Sequence, residues 1–126
     1  MAFVGEFSCK PGLRLLPHMR VVVQTERGIE LEKARYLVTA ALGYEPENAS
    51  YLDTRGWIEF QEGNYDEAIE WLRRAIELDP DSAPLYEHLG DAYARAGSTA
   101  KAKKYYRKGL ILEPDNPSLL SKLGQE

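Results

Sequence analysis

The stretch Ala49 to Ser82, ASYLDTRGWIEFQEGNYDEAIEWLRRAIELDPDS, returns 34 residues later as Ala83 to Asn116, APLYEHLGDAYARAGSTAKAKKYYRKGLILEPDN. In this register Gly56 falls on Gly90, Gly63 on Gly97, Ala68 on Ala102, Ala75 on Gly109, Leu78 on Leu112 and Pro80 on Pro114. Small residues and prolines repeating at this period mark a stacked array of helix–turn–helix units rather than a closed domain.

Each unit reads as two helices. The first runs from about Ala49 to Glu62 and stops at Gly63-Asn64, where a left-handed cap suits glycine. The second begins near Tyr65 and ends at Leu78, before Asp79-Pro80, because proline has no N–H to donate and disfavours helix at the residue before it. The next unit repeats this with helices over about Ala83 to Ala96 and Thr99 to Leu112. Gly56 and Gly90 are expected to let paired helices approach, with Ala68 and Ala102 facing them and Leu52, Leu72, Tyr86 and Tyr106 filling the space between.

Outward from these units the pattern fades. Ala34, Ala41 and Pro46 stand 34 residues before Ala68, Ala75 and Pro80, so residues 21–48 read as a degraded first repeat. Its second helix is expected over about Glu30 to Gly43, and its first over about His18 to Arg27, where Val21-Val22-Val23 is a poor helix former. Residues 117–124 place Leu120, Leu123 and Gly124 on Tyr86, Leu89 and Gly90 and read as a capping helix over the last apolar edge. Residues 1–20 read as an irregular leader without the apolar core of a secretory signal. Glu6-Phe7 and His18-Met19 are dipeptides that cloning sites commonly encode, which leaves a cloning origin for part of it open.

The formal net charge of −4 argues against nucleic acid or an anionic membrane as the main partner. The single cysteine, Cys9, excludes an internal disulfide, and no apolar run reaches the roughly 18 residues needed to cross a bilayer. The expectation is a soluble chain with no membrane insertion, cytoplasmic in preference to periplasmic. His18 and His88 lie at no ligand spacing from a cysteine or each other, and neither a phosphate-binding glycine loop nor a nucleophile elbow is present. No enzyme activity, cofactor or metal is expected.

LYEHLGDAYARAG and YDEAIEWLRRAIELDP resemble the tetratricopeptide repeat (TPR) family, and LDTRGWIEFQEGNYDEAIEWLRRA is similar to TPR segments of bacterial proteins. The resemblance implies an all-α fold, a right-handed superhelix of stacked antiparallel hairpins (a TPR α-solenoid) with a C-terminal capping helix. It also implies a non-catalytic scaffold that binds a peptide or protein segment in a concave groove. The alternative is a structural or self-associating module, a homo-oligomer or a piece of a longer array. Three positions depart from the family pattern. Arg55 and Glu59 stand where Leu and Tyr are frequent, a helical pair worth a few tenths of a kcal/mol. Gly109 stands where Ala is usual, at a cost of about 1 kcal/mol.

Carried over by register, the groove-facing residues are Asp53, Trp57, Phe60 and Gln61, then Glu87, Asp91, Ala94 and Arg95. Trp57 and Phe60 share a helical face and read either as an aromatic anchor or as packing. The acids suit a partner pairing basic with apolar residues. They also disfavour the acidic chaperone tails that some members grip with a Lys, Asn and Arg clamp. Arg73, Arg74, Lys101, Lys103, Lys104, Arg107 and Lys108 lie mostly on second helices, and a solvated outer face is the expected reading.

Overall fold

The computed structural model describes residues 27–124. They form six helices and no strand: α1 (Arg27–Tyr44), α2 (Ala49–Gln61), α3 (Tyr65–Leu78), α4 (Ala83–Arg95), α5 (Thr99–Leu112) and α6 (Pro117–Gly124). The chain divides into two compact units, Met1–Leu37 and Val38–Glu126. Of the first, the described part is the beginning of α1, where Leu31 is buried. The helix expected over His18 to Arg27 lies outside the described residues except for Arg27, which opens α1.

The second unit is an all-α TPR-type stack of antiparallel hairpins, α2–α3 and α4–α5, ended by α6. Its loops are built alike. After α2, Gly63 takes φ +83°, its N–H bonds to the Phe60 carbonyl at 3.0 Å and that of Asn64 to Glu59 at 2.8 Å. After α4, Gly97 takes φ +95° and the same bonds run from Gly97 to Ala94 and Ser98 to Tyr93. This left-handed closure satisfies carbonyls the helix end would leave bare. Asn48 and Asn116 cap α2 and α6, each accepting a backbone N–H three residues on at 3.0 Å.

Close approach at the glycines sets the hairpin geometry. A β-carbon at Gly56 would stand 2.8 Å from Leu72 Cγ and 3.3 Å from the Ala68 carbonyl. One at Gly90 would stand 2.6 Å from Cδ1 of the Tyr106 ring. Leu72, Tyr106, Ala68 and Ala102 are buried, as the repeat register requires, while Tyr86 is half-buried with its hydroxyl on the Pro80 carbonyl at 2.9 Å. Leu52, Ala75 and Leu85 form a second apolar cluster with Leu42 and Trp71 against it.

Two expectations need correction. Gly109 is not simply a weak point, because a β-carbon there would stand 2.8 Å from Cδ1 of Leu119, which is fully buried. Glycine at 109 makes room for the side chain that docks α6; Leu119, not the half-exposed Leu120, is the anchor of the cap. The Arg55–Glu59 pair is likewise more than a weak helical pair, because its carboxylate is buried. Glu59 is 1% exposed, bound by Arg55 Nε at 3.0 Å and Asn64 Nδ2 at 2.9 Å, while Arg55 also donates to Thr39 Oγ1 and lies over Trp71. A buried carboxylate that loses its partner is far more costly than a few tenths of a kcal/mol.

Candidate protein-interaction face

The residues assigned to the groove lie on the first helices α2 and α4, which touch along one face. On α2, Asp53, Trp57, Phe60 and Gln61 stand at i, i+4, i+7 and i+8, so they share a side of the helix. Trp57 stacks on Phe60, with ring centroids 5.0 Å apart and planes 13° from parallel. Phe60 packs on the main core and edge-on to Tyr65, and the Arg95 guanidinium lies over both rings at 5.3 and 5.4 Å. Trp57 remains 43% exposed. Gln61 is half-buried, and Ala94 and Arg95 are exposed.

The three acids are engaged in a repeating contact that sequence alone does not show. Asp53 on α2 accepts from His88 Nδ1 on α4 at 2.8 Å. Glu87 on α4 accepts from Lys122 Nζ on α6, also at 2.8 Å. Both pairs span 35 residues, one more than the repeat, so Asp53 and Glu87 are equivalent positions, as are His88 and Lys122. Each base also reaches one turn further along the preceding first helix. His88 meets the Trp57 ring at 5.9 Å, and Lys122 donates to both oxygens of Asp91 at 2.8 and 2.9 Å. Trp57 and Asp91 are again equivalent. The result is two rungs of one design, imidazole with carboxylate and indole, then ammonium with two carboxylates. Ser118 adds a bond to Glu87, and the Tyr106 hydroxyl donates to Asp91 at 2.7 Å.

These contacts shift the ionisation of their members. The Asp53 hydrogen bond raises the His88 pKa above its ordinary value against the opposing effect of burial, helped by Asp91 and Glu87 nearby. Burial disfavours charge on Lys122 and on Glu87, but their mutual bond and those to Asp91 and Ser118 outweigh it. Lys122 is held above its usual range and Glu87 below. Burial and the bond to Asp91 push Tyr106 well above an ordinary tyrosine. Among the described residues no group of three or more His, Cys, Asp and Glu could hold a metal ion, and no helix is long and apolar enough to cross a membrane.

Sequence reasoning missed Lys122, His88 and Ser118 on this face. The available signal was the offset itself: an acid at 53 and 87 with a base 35 residues later each time.

Two family models match the chain, one described as TPR repeat over residues 56–97 and one as tetratricopeptide repeat over residues 83–126. No curated protein matches it by sequence. Among solved structures it is similar to the TPR domain of Arabidopsis OM64, at 22% identity and TM-score 0.72, covering 79% of this chain and 82% of that one. TTC0263, a TPR protein of Thermus thermophilus, gives 24% identity and TM-score 0.75 over 81% of this chain but only 52% of its own. The first TPR of Spaghetti (RPAP3), bound to the HSP90 peptide SRMEEVD, gives 22% and 0.73 over 79% of each. At such identities the likeness is one of fold.

Proposed function

Because the chain belongs to the tetratricopeptide repeat family, we propose that it is a non-catalytic interaction scaffold holding a peptide or protein segment along the α2–α4 face. The observation that carries this reading is Trp57. Its indole is immobilised by the Phe60 stack yet 43% exposed, so an apolar partner gains contact area with little ordering cost. Around it the formal charge is −1, with Asp53, Glu87 and Asp91 against Lys122 and Arg95, and it falls to zero when His88 is protonated. The segment that fits carries a bulky apolar residue beside Lys or Arg, with charge setting orientation and association rate more than affinity. The peptide bound to Spaghetti (RPAP3), SRMEEVD, ends in acidic residues. Carboxylates at 53, 87 and 91 oppose such a ligand here.

A purely structural role for this face is the second reading, and the rungs favour it, since Glu87 and Asp91 already hold Lys122. An immobilised set of peptides pairing Lys or Arg with Leu, Phe or Trp separates the two. The scaffold reading expects selective capture that Trp57→Ala weakens about tenfold or more, as for an interface hot spot, with the circular dichroism melt retained. Unchanged capture, or a Trp57→Ala chain that no longer folds, makes Trp57 a packing residue.

A further inference from the structure

The second helices of the two hairpins share a scaffold but not a surface. The stripe Glu67, Glu70, Arg74, Glu77 on α3 becomes Lys101, Lys104, Lys108, Ile111 on α5 when shifted by one repeat. All eight residues are exposed. The fold does not require Lys101 and Lys104, because α3 carries Glu67 and Glu70 at the same positions on the same architecture, while Arg74 keeps the charge of Lys108. Helix α5 contains five basic residues and no acidic one, whereas α3 has four acids and two arginines. The net charge of −4 therefore conceals a segregated basic face.

That face is also pre-shaped. Tyr105 stacks on Tyr93 at 5.4 Å and lies 6.4 Å from Tyr86. Lys101 rests over Tyr93 at 5.5 Å, and Lys104 and Lys108 over Tyr105 at 5.7 and 5.5 Å. Their ammonium groups lie over aromatic rings and have no carboxylate partner among the described residues. Ile111 follows Lys108 by one turn and is 78% exposed, so the basic stripe ends on an apolar contact. At 1.5 Å per residue, Lys101 to Lys108 spans about 10 Å.

We infer that the α5 stripe, Lys101, Lys104, Lys108 and Ile111, is a second docking surface, for an acidic protein segment carrying an apolar residue beside its carboxylates. From Lys101 to Ile111 the stripe is about 15 Å long, which matches two or three turns of a helix or four or five extended residues. A bilayer or a nucleic-acid duplex would extend well past it and meet a chain that is net acidic, so the short segment is the better fit. The surface is separate from Trp57 and does not rest on the groove reading.

The test transplants the charges of α3 onto α5. A fluorescein-labelled synthetic peptide of Glu-Glu-Leu repeats is titrated against the full chain by anisotropy, alongside vesicles containing phosphatidylserine and an oligothymidylate. The peptide should bind in a salt-sensitive manner. Lys101→Glu with Lys104→Glu should weaken it about tenfold or more, by losing two ion pairs and adding repulsion. Ile111→Glu should weaken it less, and Trp57→Ala should leave it unchanged. The folded α3 already tolerates these residues, and Lys101→Gln with Lys104→Gln, which only removes charge, should fall between. Absent peptide binding, equal binding by the Glu variant, or tighter binding of vesicle or oligonucleotide overturns the inference. So does self-association that disappears in that variant, which would make a second copy the occupant.

Discussion

Gly90→Ala adds one methyl group at the tightest point of the α4–α5 hairpin. The new carbon would stand 2.6 Å from Tyr106 Cδ1, closer still to Cε1, and 3.1 Å from Cζ. Contact with three ring atoms leaves no rotamer escape, and the ring is fixed at its far end by the hydroxyl bond to Asp91 at 2.7 Å. Alanine gains about 1 kcal/mol over glycine in a helix. Overpacking costs about 1–3 kcal/mol, and pulling the hydroxyl off a carboxylate about 1.5–3 kcal/mol. The net is a loss of about 3 kcal/mol, or about 15 °C in melting temperature for a domain of this size. The same methyl at Gly109 meets only the tip of Leu119, which can turn aside, so Gly109→Ala should fall within about 0.5 kcal/mol of the parent. Tyr106→Leu, the residue that faces Gly56 in the preceding hairpin, should suppress most of the Gly90→Ala penalty in a double-mutant cycle. Urea melts of the four variants decide the matter. A neutral or stabilising Gly90→Ala, or additive behaviour with Tyr106→Leu, would refute this account of the hairpin contact.

Arg55→Ala should cost about 3 kcal/mol by stranding the buried Glu59 carboxylate. Arg55→Leu with Glu59→Tyr, the Leu89 and Tyr93 of the next repeat, should recover that loss in the same urea melts. Lys122→Met should lower stability by about 1 kcal/mol by removing its partly buried bonds to Glu87 and Asp91, and added salt should shrink the difference. Because the folded pKa of His88 is raised, its contribution is fully present below the unfolded value of about 6.5 and is lost as pH rises through the folded value. His88→Gln should therefore lose more stability at pH 5.5 than at pH 8.5 (both about one unit or more from the unfolded pKa), and NMR titration of the ring should give a midpoint above that of the unfolded chain.

The features visible in sequence were those fixed by local backbone needs or by the period. Gly63 and Gly97 announced left-handed closures, and the Gly56 and Gly90 contacts followed from small residues recurring in register. The rungs are hidden in sequence because they depend on how one hairpin stacks on the next, so His88 reads as a lone histidine and nothing singles out Lys122. Glu59 misled for a related reason. Its neighbour Arg55 suggests a weak pair along one helix, while the groups that allow its burial, Asn64 and Thr39, lie in the following loop and on α1. Gly109 was read against a consensus Ala, and its reason became visible only with Leu119 seated against it.

Helix α6 has eight residues, too few to hold helical structure on its own in water. Its backbone hydrogen bonds persist only while Leu119 is seated beside Gly109 and Lys122 spans Glu87 and Asp91. Hydrogen exchange along α6 therefore reads the free energy of that docking alone, separately from global unfolding. Its amides should exchange together, as one cooperative group, and Lys122→Met should accelerate all of them while leaving the amides of α3 at their parent rates.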